Sequence, residues 1–143
     1  MESKQVKKLM EMDLKLINPD ASLEEASKMM KQYDCGFLPV GVENTLEGII
    51  TDRDIVIRAL AEGKDPKSER VRDVMSDSVC CCKETDTLED AARVMSENRV
   101  GRLVVKDDGN NISGILTFGR IIRMNDNKQE TSEVVATATG KAA

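Results

Sequence analysis

The sequence repeats itself, and no other feature limits the possible folds as strongly. Shifted by 65 residues, positions 6–40 align with 71–105 without a gap. Nine of those 35 pairs are identical: Val6/Val71, Met10/Met75, Leu23/Leu88, Glu24/Glu89, Ala26/Ala91, Met30/Met95, Gly36/Gly101, Leu38/Leu103 and Val40/Val105. One inserted residue then moves the register to 66, so Gly48-Ile49-Ile50-Thr51 falls on Gly114-Ile115-Leu116-Thr117 and Ile55 on Ile121. Unrelated stretches of this length match at about two or three positions by chance. The 143-residue chain is therefore two copies of one small unit.

Both copies carry the same sequence of periodicities. A short apolar run, Leu14 to Ile17 or Val79 to Cys82, reads as a strand. Ser22 and Thr87 stand at helix N-cap positions, each followed by acidic residues in the first turn. Leu23, Ala26, Met29, Met30 and Leu88, Ala91, Ala92, Met95 recur at helical spacing, and Gly36 and Gly101 are the expected C-caps. Two strands follow in each copy, Phe37–Val40 with Leu46–Thr51 and Arg102–Lys106 with Ile112–Thr117, joined by the turns Glu43-Asn44-Thr45 and 107–111. A second helix closes each copy, from Arg53 to about Glu62 and from Phe118 to about Met124. The expected class is α/β (α+β): two tandem β-α-β-β-α units, the first over 4–65 and the second over 66–125. Residues 126–143 form a polar tail, mobile or weakly held. One such unit leaves too much apolar surface exposed, so the two are expected to stack sheet to sheet about a pseudo-twofold axis, with equivalent clefts between them.

Composition removes several function classes. The net charge is −5, and neither half is basic: residues 1–65 hold 9 Lys/Arg against 13 Asp/Glu, and 66–143 hold 12 against 13. Duplex nucleic acid calls for a basic face, and a single-strand platform calls for more aromatic rings than Tyr33, Phe37 and Phe118. With no His in the chain, His-based nucleophile systems and His-containing metal sites are excluded. No stretch approaches the roughly 20 apolar residues of a membrane span, and no signal-peptide core follows Met-Glu-Ser-Lys-Gln. A cytoplasmic protein without nucleic-acid or membrane partners is expected. Cys35 and the run Cys80-Cys81-Cys82 read as thiols in or beside a strand, with a redox or metal role as the alternative; adjacent residues of a strand point to opposite faces, so the run does not hold one ion as a Cys-x-x-Cys turn would.

The second strand–helix junctions, Gly48-Ile-Ile-Thr51-Asp52-Arg53-Asp54 and Gly114-Ile-Leu-Thr117-Phe118-Gly119-Arg120, resemble the Gly-x-x-Thr/Ser-x-x-Asp signature of CBS domains. The strands Phe37-Leu-Pro-Val40 and Arg102-Leu-Val-Val105 are similar to the family's preceding strand. The leaders Val6-Lys-Lys-Leu-Met10 and Val71-Arg-Asp-Val-Met75 resemble its opening short helix. The resemblance covers roughly residues 4–125, and the chain looks like a free-standing bacterial CBS pair, or Bateman module.

That resemblance implies a regulatory module without catalytic activity of its own. It would hold no resident cofactor and would bind AMP, ADP, ATP or S-adenosylmethionine. It would associate as a homodimer and be read by a regulated protein that the sequence does not identify. The implied ligand residues are Ile17, Phe37, Leu38, Pro39, Gly48, Thr51, Arg53, Asp54, Arg102, Thr117 and Arg120. Adenine would lie along the strands around Ile17–Pro19, Phe37–Pro39, Cys80–Cys82 and Arg102–Val104. Thr51 offers a hydroxyl, Asp54 can accept from a ribose diol, and Arg53 and Arg102 can meet phosphate. Asp54 can equally serve as a first-turn acidic residue, and Arg58 as a surface ion-pair partner. Arg120 stands where Asp54 stands in the first copy, and a guanidinium only donates. The second site is thus either degenerate or turned toward phosphate. A module that keeps the fold for interaction and has lost its ligand is the alternative.

Overall fold

The computed structural model describes residues 3–43 and 45–140. Asn44 of the first expected turn and residues 141–143 of the expected tail lie outside them. The fold is mixed α/β, with two small sheets and helices. Packing groups the chain into two compact units, one formed by residue 80 onward together with the segment ending at Leu14, the other by 15–79. These groupings differ from the sequence boundaries at 65 and 66: each opening segment packs with the other copy's strands and helices.

In unit 15–79, Ser22 caps helix α1 (Leu23–Tyr33) through a capping box: its Oγ accepts from Glu25 N at 3.1 Å and its N–H donates to Glu25 Oε2 at 3.0 Å. Strands β1 (Phe37–Val42) and β2 (Thr45–Thr51) pair antiparallel, with Phe37 opposite Thr51. Helix α2 (Asp52–Ile55) continues directly into a π-helical turn over Val56–Leu60. The second helix expected over 53–62 is therefore two different coils in succession. In the other unit, β3 (Cys81–Lys83), α3 (Leu88–Asn98), β4 (Arg102–Lys106), β5 (Ile112–Thr117) and α4 (Phe118–Met124) repeat the plan, ordered β3-β4-β5 in the sheet. Thr87 and Asp90 form the capping box of α3.

Two local expectations need correction. Helices α1 and α3 end at Asp34 and Arg99, both left-handed with φ of 50° and 54°, and Gly36 and Gly101 lie two residues further on. The strand expected over Leu14–Ile17 shrinks to a single parallel bridge between Ile17 and Val40, whereas its counterpart β3 is a strand. Proline explains the difference. Val104 N donates to Cys80 O at 3.0 Å, and the residue at that place in the first copy is Pro39, which has no N–H to give to Lys15.

The opening segments are 3₁₀ turns over Val6–Lys8 and Val71–Asp73, each followed by a bridge that extends a sheet. Ser76 and Ile49 exchange both backbone hydrogen bonds at 2.9 Å, and Glu11 and Ile115 do the same at 2.8 and 2.9 Å. Glycine makes that approach possible. A Cβ on Gly48 would stand 2.5 Å from Ser76 O, and one on Gly114 would stand 3.0 Å from Glu11 O and 2.7 Å from Met10 Sδ. Each unit closes its own core. One contains Ile17, Leu23, Leu38, Ile50, Ile55, Val71 and Val74; the other contains Val6, Leu88, Met95, Leu103, Leu116 and Ile121.

Most of the expected polar tail is a helix. Helix α5 (Lys128–Ala138) packs on α3, with Val134 fully buried and Thr137 Oγ1 donating to Glu89 Oε1 at 2.7 Å. Val134 is the one apolar residue of the helix that is buried, too sparse a signal to stand out in a stretch of small and polar residues. Glu130 is buried as well, accepting from Lys4 N at 2.7 Å and Asn125 Nδ2 at 3.2 Å. Burial pushes its carboxyl up, but these hydrogen bonds and the Lys4 charge outweigh it and hold the group below its ordinary range. A depressed folded value means the contribution is present above the unfolded pKa and disappears as pH falls through the folded one. Urea unfolding of Glu130→Gln should accordingly show a smaller stability gap from the parent at acid pH than at pH 7. Val134→Ala should lose about 2 kcal/mol at either pH; a loss below about 0.5 kcal/mol would mean that α5 is not docked.

Candidate functional site

The residue types that carry the resemblance meet at the β2–α2 junction. Thr51, the last residue of β2, is the N-cap of α2, and its Oγ1 accepts from Asp54 N at 3.1 Å. Asp54 Oδ2 accepts from Thr51 N at 2.9 Å, which completes a capping box. The Asp54 side chain is only 18% exposed, and its Oδ1 stands 3.9 Å from Arg58 Nε, beyond hydrogen-bond range. One carboxylate oxygen thus starts the helix while the other faces a cation it does not bond.

The neighbours sort by what their side chains already do. Phe37 is half-buried beside Thr51 across the strand pair, and Arg53 is exposed. Ile17 and Leu38 are core residues, at 5% and 1% exposure, so their side chains are committed to packing. Pro39 and Gly48 are buried, and Gly48 is accounted for by its contact with Ser76. All four are buried in unit 15–79 and carry no polar side-chain group.

The equivalent junction in the other unit is built differently. Thr117 caps α4, with its Oγ1 accepting from Arg120 N at 3.0 Å. The return bond of a capping box is missing, because a guanidinium cannot accept. Arg102 opens β4 opposite Thr117. The Arg120 side chain is engaged within its own unit: Nε donates to Leu9 O, and Nη1 donates to Glu11 Oε2 at 3.1 Å.

Sequence reasoning placed Arg58 on the surface as an ion-pair partner. The structure gives it more to do: Nη1 donates to Val74 O at 3.0 Å and Met75 O at 3.3 Å. Its spacing of four from Asp54 was the available signal.

Three of the thiols are raised out of the nucleophilic range. Burial pushes Cys82 up to about 12, helped by the charges of Asp86 and Cys81, and burial also raises Cys35 and Cys81. Among the described residues no cluster of Cys, Asp and Glu could hold a metal ion, and no helix is long and apolar enough to cross a membrane.

Comparison with known proteins agrees with the local chemistry. The CBS domain family model matches residues 6–60 and 71–126. A CBS domain-containing protein of Bacillus subtilis, YhcV, is 35% identical over 114 residues, covering 80% of either chain. The crystal structure of the CBS domain protein TA0289 from Thermoplasma acidophilum superposes with a TM-score of 0.80 at 25% identity, covering 95% of this chain and 76% of that one. The CBS domain pair of protein MJ0100, crystallised with 5′-methylthioadenosine and S-adenosyl-L-methionine, gives 0.76 at 27% identity, with 86% and 96% covered. The chain belongs to the CBS domain family and carries two such domains.

The raised thiols generate a direct expectation. At pH 8, iodoacetamide should alkylate Cys82 in the native protein at least about 100-fold more slowly than in urea. Equal rates would contradict its burial.

Proposed function

We propose that this chain is a non-catalytic regulatory module that binds an adenosyl compound at the β2–α2 junction. AMP, ADP, ATP and S-adenosylmethionine are the candidate ligands. The observation that carries the reading is Asp54: a half-buried carboxylate with one oxygen fixed by Thr51 N–H and the other 3.9 Å from Arg58 Nε, beyond hydrogen-bond range. A ribose diol presents two adjacent O–H donors, which a carboxylate suits and a guanidinium does not. Thr51 adds a hydroxyl at the same junction, while exposed Arg53 supplies positive charge for a phosphate. The MJ0100 complex with two adenosyl ligands supports the ligand class. One site per chain follows, since the counterpart of Asp54 is Arg120 and its side chain is already engaged.

The helices that follow the two junctions support association. Val56, Ile57 and Leu60 on one, and Ile122 and Met124 on the other, are each about half exposed. A second copy of this chain covers them in the reading offered here, giving a homodimer. In this reading the module acts through a separate regulated protein and leaves the nucleotide chemically unchanged.

Isothermal titration with the four adenosyl compounds tests the reading. A stoichiometry near one per chain is expected. Asp54→Ala should weaken binding by about 10- to 100-fold, as expected for a charge-assisted hydrogen bond of about 1.5–3 kcal/mol. Failure of all four to bind below millimolar concentration would overturn it, leaving the interaction module that has lost its ligand.

A further inference from the structure

We propose that Arg58 and Arg120 make one and the same tie from two different positions, and that this choice decides which unit keeps a carboxylate for a ligand. Both reach the end of an opening turn. Arg58 Nη1 donates to Val74 O, and Arg120 Nε donates to Leu9 O; Leu9 and Val74 correspond under the 65-residue shift. Leu9 is 7% exposed and Val74 is 0% exposed, and among the described residues neither carbonyl receives a backbone N–H. A buried carbonyl without a donor is destabilising, so each turn requires one from elsewhere. Both units meet that requirement with a guanidinium.

The source of the guanidinium differs by one helical turn. Under the 66-residue shift, Asp54 corresponds to Arg120 and Arg58 to Met124. In unit 15–79 the donor comes from the later position, within the π-helical turn Val56–Leu60, and the earlier position is free to be Asp. π-Helical turns recur at functional sites. In the other unit the helix is regular, the later position is an exposed Met, and the earlier position supplies the donor. Arg120 then excludes a carboxylate at the place where a ribose would be met, and Glu11 lies beside it at 3.1 Å as its counter-ion. Arg58 is therefore a positioning residue, and Asp54/Arg58 and Arg120/Met124 are two solutions to one structural requirement.

Thermal melting separates the tie from any ligand. Arg58→Met should lower the melting temperature by roughly 3–6 °C. The double variants Asp54→Ala/Arg58→Met and Asp54→Arg/Arg58→Met both lack the capping carboxylate, but only the second can restore the tie. It should recover at least half of the Arg58→Met loss relative to the first; equal melting of the two would overturn the proposal. Arg58→Gln, which keeps one donor, replaces Arg58→Met in the same comparison if the Met variants do not fold. The ligand half rests on the adenosyl reading and is tested by Arg120→Asp/Met124→Arg, titrated with the same four compounds. Its stoichiometry should rise from one toward two, while Arg120→Asp alone stays at one and melts lower. A parent chain that binds while this double variant remains at one would overturn the ligand half. A parent that binds none of the four would overturn the adenosyl reading, and the melting comparison would still decide the tie.

Discussion

The backbone exchange between an opening segment and the last strand of a unit is the interaction on which the rest depends. Ser76 against Ile49 and Glu11 against Ile115 each make two hydrogen bonds, and each requires a glycine next door, at Gly48 and Gly114. Once the segment is seated there, Val71 and Val74, or Val6 and Leu9, enter the core behind it. The carbonyls of Val74 and Leu9 receive no backbone N–H among the described residues, and the helix after the last strand is the element that supplies a donor. Glycine, buried turn and guanidinium form a connected set, which is why Gly48 and Gly114 recur at the signature although neither touches a ligand by side chain.

Much of this was legible in the sequence because the two copies annotate each other. The capping residues Ser22 and Thr87, the four main strands and the starts of α1, α3 and α4 follow from periodicity and cap chemistry. The elements that escaped did so for particular reasons. Pro39 removes one ladder donor, and the strand beside it contracts to a bridge. Asp34 and Arg99 adopt the left-handed conformation without being glycine. Helix α5 has one fully buried apolar residue, Val134, and is held otherwise by polar contacts that no hydrophobic pattern reports. The packing of each opening segment with the other copy rests on backbone hydrogen bonds, which no side-chain pattern reports.

The site was legible at its centre and obscure at its edge. Asp54 and Thr51 follow from the motif, but the sequence could not say that Asp54 closes a capping box and faces Arg58 at once. Nor could it choose between a degenerate and a phosphate-directed Arg120, since that depends on a carbonyl 111 positions away. Ile17 and Leu38 were read as ligand walls from family position, and their burial in the core commits their side chains to packing. A residue's place in a motif fixes its neighbourhood; which atoms stay available is fixed by packing.

The central claim is that one junction per chain is chemically open and the other is closed by its own arginine. Backbone and arginine-side-chain nitrogen resonances, followed during titration with AMP, ADP, ATP or S-adenosylmethionine, test it most directly. The account predicts that the largest shifts fall on Thr51, Asp54 and the Arg58 Nε–H, while Thr117 and the Arg120 Nε–H stay in place. Comparable shifts at both junctions, saturating together, would contradict it.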